Sequence, residues 1–177
     1  RGLGDVYKRQ GYIYNPAEEG QYEVIEDVEM AEHFMNQSKN VQEFLRQIGF
    51  SNVQVNDAYL EMGTPVSAGV AIGKKEITDS TGKKYTLISI LPRSTSYFGE
   101  WANSMNIGGD DTQDYAGLES AVNDYVLKFL EEYITENEIK GDLKIWTAGL
   151  SRGGGLANFT AAYLDLSLIH ISEPTRR

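Results

Sequence analysis

The amino-acid sequence predicts an α/β fold containing a parallel pair of strands, and three observations carry that expectation. Leu143–Ala148 is a short apolar run bounded by Gly141 and Gly149, the pattern of a strand covered on both faces. Before it, Leu118, Ala121, Val122, Tyr125, Phe129, Leu130 and Tyr133 keep helical spacing over about four turns. A β-rich region precedes that helix, and a second helix, Leu156–Leu164, follows the strand. Strand, long helix, strand, helix is a βαβα order, and a helical crossover delivers the next strand parallel to the last.

The remaining elements follow in chain order. From Asp27 to Ile48, the apolar residues Val41, Phe44, Leu45 and Ile48 fall at i, i+3, i+4 and i+7, one face of an amphipathic helix. Gly49 stands where helices commonly end. Val53–Tyr59 alternates weakly and reads as a short strand. Val66–Ile77 and Tyr85–Leu91 are rich in β-formers and flank Asp79-Ser80-Thr81-Gly82, a polar turn with glycine where positive φ is cheap. Together they read as a hairpin. Pro92 to Thr112 reads as a loop with Tyr97, Phe98 and Trp101 embedded in it.

The two ends have a different character. One legal back-translation of Leu166–Arg176 (LSLIHISEPTR) has a reverse complement that encodes SRGLGDVYKRQ, whose last ten residues are Arg1 to Gln10. An inverted sequencing adapter flanking a DNA insert produces this relation, and the string resembles a transposon-type library adapter. The expectation is therefore four segments: 1–10 adapter-derived, 11–64 an N-terminal helical and extended region, 65–165 a partial catalytic-type domain, and 166–177 adapter-derived. On that reading His170 is not native, and His33 is the single native histidine.

Composition narrows the function classes. The chain carries 16 basic and 26 acidic residues. Setting aside Arg1, Lys8, Arg9, Arg176, Arg177, Asp5 and Glu173 leaves 11 and 24, a net charge of −13. Nucleic-acid binding draws its affinity from clustered Lys and Arg, so that class is excluded as an expectation. An apolar content of 41% suffices for one core. No apolar run approaches the ~20 residues of a membrane span. With no cysteine there is neither a disulfide framework nor a thiolate metal site. Localisation stays open.

The chemistry centres on Gly149-Leu150-Ser151-Arg152-Gly153, a G-x-S-x-G pattern between an incoming apolar strand and an outgoing helix. In such a turn a serine hydroxyl is lifted clear of the sheet edge, and the flanking positions must be small. The serine also precedes a helix N-terminus, where N–H groups favour developing negative charge. A phosphate loop would carry Lys-Ser/Thr after its glycines, or G-x-G-x-x-G, and neither is present.

The segment IWTAGLSRGGGLANFTAAYL resembles the nucleophile elbow of the class 3 (fungal-lipase-like) triacylglycerol lipases, members of the α/β-hydrolase superfamily. A second block agrees: Ile88–Pro92 leads into Arg93-Ser94-Thr95, with Trp101 eight residues beyond the arginine. Tyr115-Ala116-Gly117-Leu118 stands where the family has H-x-G-F, and Ser94 where it has glycine. The resemblance covers about Val66 to Asp165 and leaves Gly11–Thr64 outside it.

The resemblance implies an α/β-hydrolase fold of which this chain holds the N-terminal part, truncated after the elbow helix. It implies Ser151 as the nucleophile, the Arg152 backbone N–H as one oxyanion-hole donor, and Thr95 as the other through backbone and hydroxyl. It further implies a serine esterase or lipase acting on a lipid or small carboxylic ester, without metal or organic cofactor. Contact with a lipid interface follows from the same likeness. The triad aspartate and histidine are expected beyond Asp165, so the chain as given is expected to be nearly inert in turnover. Exposure of the sheet edge beside the elbow strand is expected to favour aggregation.

Alternatives from other classes are a non-catalytic α/β-hydrolase-like binding or surface module, and a serine peptidase or thioesterase on the same scaffold. Residues 96–107, with Tyr97, Phe98, Trp101 and Met105, read either as a lid over an acyl pocket or as an ordinary anchored surface loop. His33, among Glu29, Glu32 and Asn36, reads as a solvated helix residue, because a triad histidine follows the serine in chain order. Asp110, Asp111 and Asp114 read as solvated loop charge, lacking the glycine and distal glutamate of a calcium loop.

Overall fold

An antiparallel pair, β1 (Tyr12–Tyr14) and β2 (Tyr22–Val24), comes first. Helix α1 (Asp27–Gln47) then leads into a four-stranded sheet of β3 (Ser51–Val55), β4 (Val70–Thr78), β5 (Lys84–Pro92) and β6 (Leu143–Thr147). The computed structural model describes residues 12–14, 22–24, 27–61, 64, 66–94 and 117–171, with side chains described between 32 and 165. Strand order is β3-β4-β5-β6. The first three strands are antiparallel, and only β5 and β6 run parallel. The sheet is therefore mixed, an α/β arrangement in which one crossover places one strand parallel to its neighbour.

The hairpin forms as its turn residues dictate. β4 and β5 pair from Val70↔Pro92 to Thr78↔Lys84. Asp79 Oδ1 accepts hydrogen bonds from the Thr81 N–H (2.8 Å), the Thr81 hydroxyl (2.6 Å) and the Lys83 N–H (3.0 Å). Those donors, the Thr81 hydroxyl foremost, hold the Asp79 carboxyl down at about 2. Gly82 has φ +85°, which a side chain would disfavour.

The crossover from β5 to β6 ends in one helix, α2, residues 117–136. Its middle, Val122–Leu127, is a π-helix, and Lys128–Glu136 is α-helical. An α-helix drifts out of line at every fourth residue, and the wider π turn cancels that drift. Val122, Val126 and Leu130 are consequently all buried, with Tyr125 and Phe129 only partly so. A 3.6-residue period gives no sign of this insertion.

Pleating divides the core into two. Val70, Ile72, Ile88 and Ile90 face α2 and α3 (Arg152–Ile171), packing on Val122, Val126, Leu130, Tyr133 and Leu156. Each fully buried side chain of this kind stabilises by about 1.5–3 kcal/mol. The Tyr133 hydroxyl donates to Asn52 O (2.9 Å), and burial pushes its pKa up to about 12. On the other face Ala71, Leu87 and Leu91 meet Leu45, Phe50, Val53 and Tyr59. Helices thus cover both faces. Residues 27–61, although outside the family resemblance, are integral to this sheet through α1 and β3.

Three sequence expectations are corrected. The stripe that α1 buries contains Phe34, Ser38 and Leu45 with Val41 half-buried, whereas Phe44 (46% exposed) and Ile48 (38%) face outward. Val53–Tyr59 is not one strand: β3 ends at Val55 and Asp57–Tyr59 is a 3₁₀ turn. β6 is not covered on both faces throughout, because Lys144 and Trp146 are exposed and only β5 pairs with it among the described residues. The α1 terminus does follow its glycine. Gly49 N–H bonds to Arg46 O (3.0 Å) and Phe50 N–H to Leu45 O (2.9 Å), a Schellman cap at φ +90°. Helix α3 runs past Asp165 into the stretch read as adapter-derived.

The rotated stripe has a direct test. Leu45→Ala should cost about 2–5 kcal/mol in urea unfolding, as buried truncations do. Phe44→Ala should stay within about 1 kcal/mol of the parent, as surface changes do; the reverse order would place the packing face wrongly.

Candidate active site

Because β5 and β6 are parallel, in register from Thr86↔Leu143 to Ile90↔Thr147, their carboxyl ends reach the same edge of the sheet. That edge is where α/β sheets place ligands. It brings Arg93 and Ser94, at the end of β5, beside the turn Ala148–Ser151 at the end of β6. Ser151 is exposed and adopts φ +55°, the left-handed region. A non-glycine residue there carries roughly 1–2 kcal/mol of strain. The next residue opens α3, so the serine sits at the corner between strand and helix. Its carbonyl accepts from the Gly154 (2.9 Å) and Gly155 (3.2 Å) N–H groups, closing the first helical turn.

The glycines of the motif are sterically required. A Cβ on Gly149 would lie 2.2 Å from Gly153 O, and one on Gly153 would lie 2.5 Å from Pro92 O and 3.1 Å from Arg93 O. Helix α3 therefore starts in backbone contact with the end of β5. Gly155 meets only Leu118 at van der Waals distance. The small residues demanded by a tight strand-to-helix corner thus stand where the corner needs them.

Two buried arginines brace this edge from behind. Arg93 Nη1 donates to Tyr59 O (2.7 Å) and Nη2 to Glu61 O (3.2 Å), and its guanidinium lies 4.5 Å from the Phe34 ring centre. Burial raises the Tyr59 hydroxyl's pKa while Arg93 opposes the rise. Arg152 Nη2 donates to Ser67 O (2.9 Å). The Arg152 side chain thus points into the protein, while its backbone amide is the first of α3, the group positioned to look outward from a helix start. Asn56 ties the same segment down, donating to Ala68 O and accepting from Val70 N–H, both at 2.9 Å. Sequence reasoning assigned no role to these three side chains, although two of them lie inside the motifs it singled out.

An open groove of about 610 Å³ runs from this edge to α1. Val41 and Phe44 border it from α1, and Leu91, Pro92 and Leu150 from the sheet edge. Larger-bodied chemistry elsewhere is sparse. A second cleft, of about 370 Å³, lies between the 55–61 segment, which includes Asp57 and Glu61, and α2. Among the described residues no cluster of His, Cys, Asp or Glu is arranged to hold a metal ion, and no helix is long and apolar enough to cross a membrane.

His33 is only partly the solvated helix residue expected. It is half-buried, and its Nε2 is buried without a hydrogen-bond partner among the described residues. Burial, with Arg93 adding a smaller repulsion, pushes its pKa below 6.5. Thr95, residues 96–107, Tyr115 and the Asp110–Asp111–Asp114 group lie outside the described residues. Compared with known protein families, curated proteins and solved structures, the chain matches none.

Two outcomes are expected. Gly153→Ala should destabilise by at least roughly 1–3 kcal/mol, the range for forced overpacking. Ser151→Gly should unfold no earlier than the parent and be up to about 1 kcal/mol more stable, since glycine adopts positive φ at no steric cost. A clear loss of stability in Ser151→Gly would show that the corner is unstrained. For His33, the folded protein disfavours the charged form, so stability is fully present above pH 6.5 and declines as pH falls below it. In His33→Gln that acid-side decline should shrink when chemical denaturation is followed from pH 7.5 to 5.

Proposed function

We propose that the protein from which this chain derives is a serine carboxylic-ester hydrolase of the α/β-hydrolase type, of the kind that the class 3 lipase resemblance implies. The observation that supports it most is Ser151 at φ +55° between β6 and α3, flanked by glycines that admit no Cβ. A left-handed, solvent-facing serine at a strand-to-helix corner is what an acyl-transfer nucleophile requires. Its hydroxyl is presented to a substrate, and the following amide is directed at the oxyanion that forms.

In this mechanism Ser151 Oγ attacks the ester carbonyl and a histidine takes its proton. An aspartate orients that histidine, and both residues belong to sequence beyond Asp165. The Arg152 N–H stabilises the tetrahedral oxyanion together with Thr95. The intermediate collapses by breaking the ester C–O bond as the histidine protonates the departing alcohol. Water activated by the same histidine then hydrolyses the acyl-serine to the free acid. The parallel register of β5 with β6 supports pairing those two donors, since Ser94, the residue before Thr95, borders the same groove as Gly149 and Leu150. The peptidase and thioesterase readings share this machinery and differ only in substrate.

The test begins with the source DNA, read through the codon for Asp165. The full frame should encode an aspartate ending a later strand and a histidine in a later loop. Expressed from that frame, the protein should hydrolyse p-nitrophenyl butyrate, and Ser151→Ala should lower kcat by at least about a thousandfold. A frame without such a histidine, or activity that survives Ser151→Ala, would leave the non-catalytic binding module as the better reading.

A further inference from the structure

The groove beside Ser151's turn carries apolar side chains on both of its sides, and these point to its occupant. Its α1 side is built by the apolar Val41 and Phe44 together with the polar Gln37 and Asn40, and the apolar side chains facing them come from Leu91, Pro92 and Leu150. Phe44 is 46% exposed and Leu150 78% exposed. Both residues border the groove with apolar surface exposed, whereas Leu45 and Ala71, in the core beneath α1, are fully buried. Leu150 immediately precedes Ser151, so a ligand lying along this surface has one end at the serine.

We infer that α1 supplies the acyl-binding wall of the site, with Val41 and Phe44 setting the chain length of the acyl group. This rests on the ester-hydrolase reading for the reaction, but assigns substrate selection to a helix outside the region of family resemblance. The occupant is the unbranched apolar chain of a neutral ester. Its carbonyl lies at the elbow and its tail runs between Leu150 and Leu91 toward Phe44.

A neutral ligand fits the electrostatics. The chain carries a net charge of −10, which repels anions at long range. Arg93, which borders the groove, has its guanidinium directed at Tyr59 O and Glu61 O. The α1 wall is also rigid enough to select. Leu45 and Phe34 anchor the helix from its buried side, and the Schellman cap at Gly49 fixes its end. Selection by such a wall comes from van der Waals contact and lost water, and accumulates with each methylene that fits.

The experiment uses this chain and a neutral probe. Displacement of 1-N-phenylnaphthylamine fluorescence by 2-alkanones of increasing length should tighten about fourfold per added methylene, then level off once the groove is filled. Val41→Trp should bring the plateau forward by several carbons. Phe44→Ala should weaken the longest ketones by about tenfold or more and leave the shortest unchanged. Asp124→Asn, in the separate cleft lined by Asp57 and Glu61, should change nothing.

Because Phe44 is exposed, Phe44→Ala is expected to fold even if Val41→Trp does not, and circular dichroism checks both. Affinity independent of chain length, or unaltered in a folded Phe44→Ala, overturns the inference. If the ketone series behaves as stated while the full-length frame hydrolyses no ester, the enzyme reading falls and the α1 groove stands as an apolar-ligand site. If the full-length enzyme is active but the series is flat, the wall assignment alone falls.

Discussion

The backbone of α3 at Gly153 sits so close to the carbonyl of Pro92 that no side-chain carbon fits between them. Much of the candidate site depends on that approach. It requires β6 to lie parallel beside β5, because only then do both strands deliver their ends to one edge. It also requires the chain to turn from strand to helix within Ala148–Ser151, which forces Ser151 to φ +55°. Gly153 is confined by that contact and Gly149 by the backbone of Gly153 and Gly154, so both glycines and the strained Ser151 belong to one tight corner where the strand ends meet a helix start.

Packing on the two faces keeps that contact in place by different means. The face toward α2 and α3 is an aliphatic core of Val70, Ile72, Ile88, Ile90 and Leu156, and it holds α3 by apolar burial. The opposite face is more heterogeneous. There Ser89, fully buried, hydrogen-bonds Gly73 (3.2 and 3.3 Å), and Trp146 stacks on Phe50 with ring centres 5.9 Å apart. That face holds α1 through Leu45 and Val41, and it leaves the helix's Phe44 side open to the groove. A π segment in α2 serves the first face by aligning Val122, Val126 and Leu130 on it.

Charge is used in the same local way. Arg93 and Arg152 bury their side chains against the 59–67 segment and give hydrogen bonds to backbone carbonyls there. Guanidinium groups suit this task, since their planar donor sets span several acceptors and their faces lie on rings such as that of Phe34. The Arg152–Ser67 contact lies within the region of family resemblance, whereas the Arg93 contacts connect the region outside it to a motif inside it. His33, with a buried Nε2 beside the same arginine, is part of that junction.

Periodicity, turn chemistry and glycine placement in the sequence determined the α/β class, the β4–β5 hairpin, the ends of α1 and the position of the elbow, because each depends on neighbours a few residues apart. Asp79 and Gly82 make their turn locally, and Gly49 caps its helix locally. Tertiary structure decided what local pattern underdetermines. It chose Phe34 and Leu45 over Phe44 and Ile48 as the residues α1 buries, since the sheet's position selects one of two overlapping apolar stripes. It made the sheet mixed, inserted the π turn to keep a column of side chains in line, and half-buried His33. It also set Arg93 and Arg152 to brace the edge and placed α1 across the groove from Ser151's neighbours. These outcomes join residues as much as 85 positions apart, as in the Arg152–Ser67 contact, and such pairings leave no periodic mark in the chain.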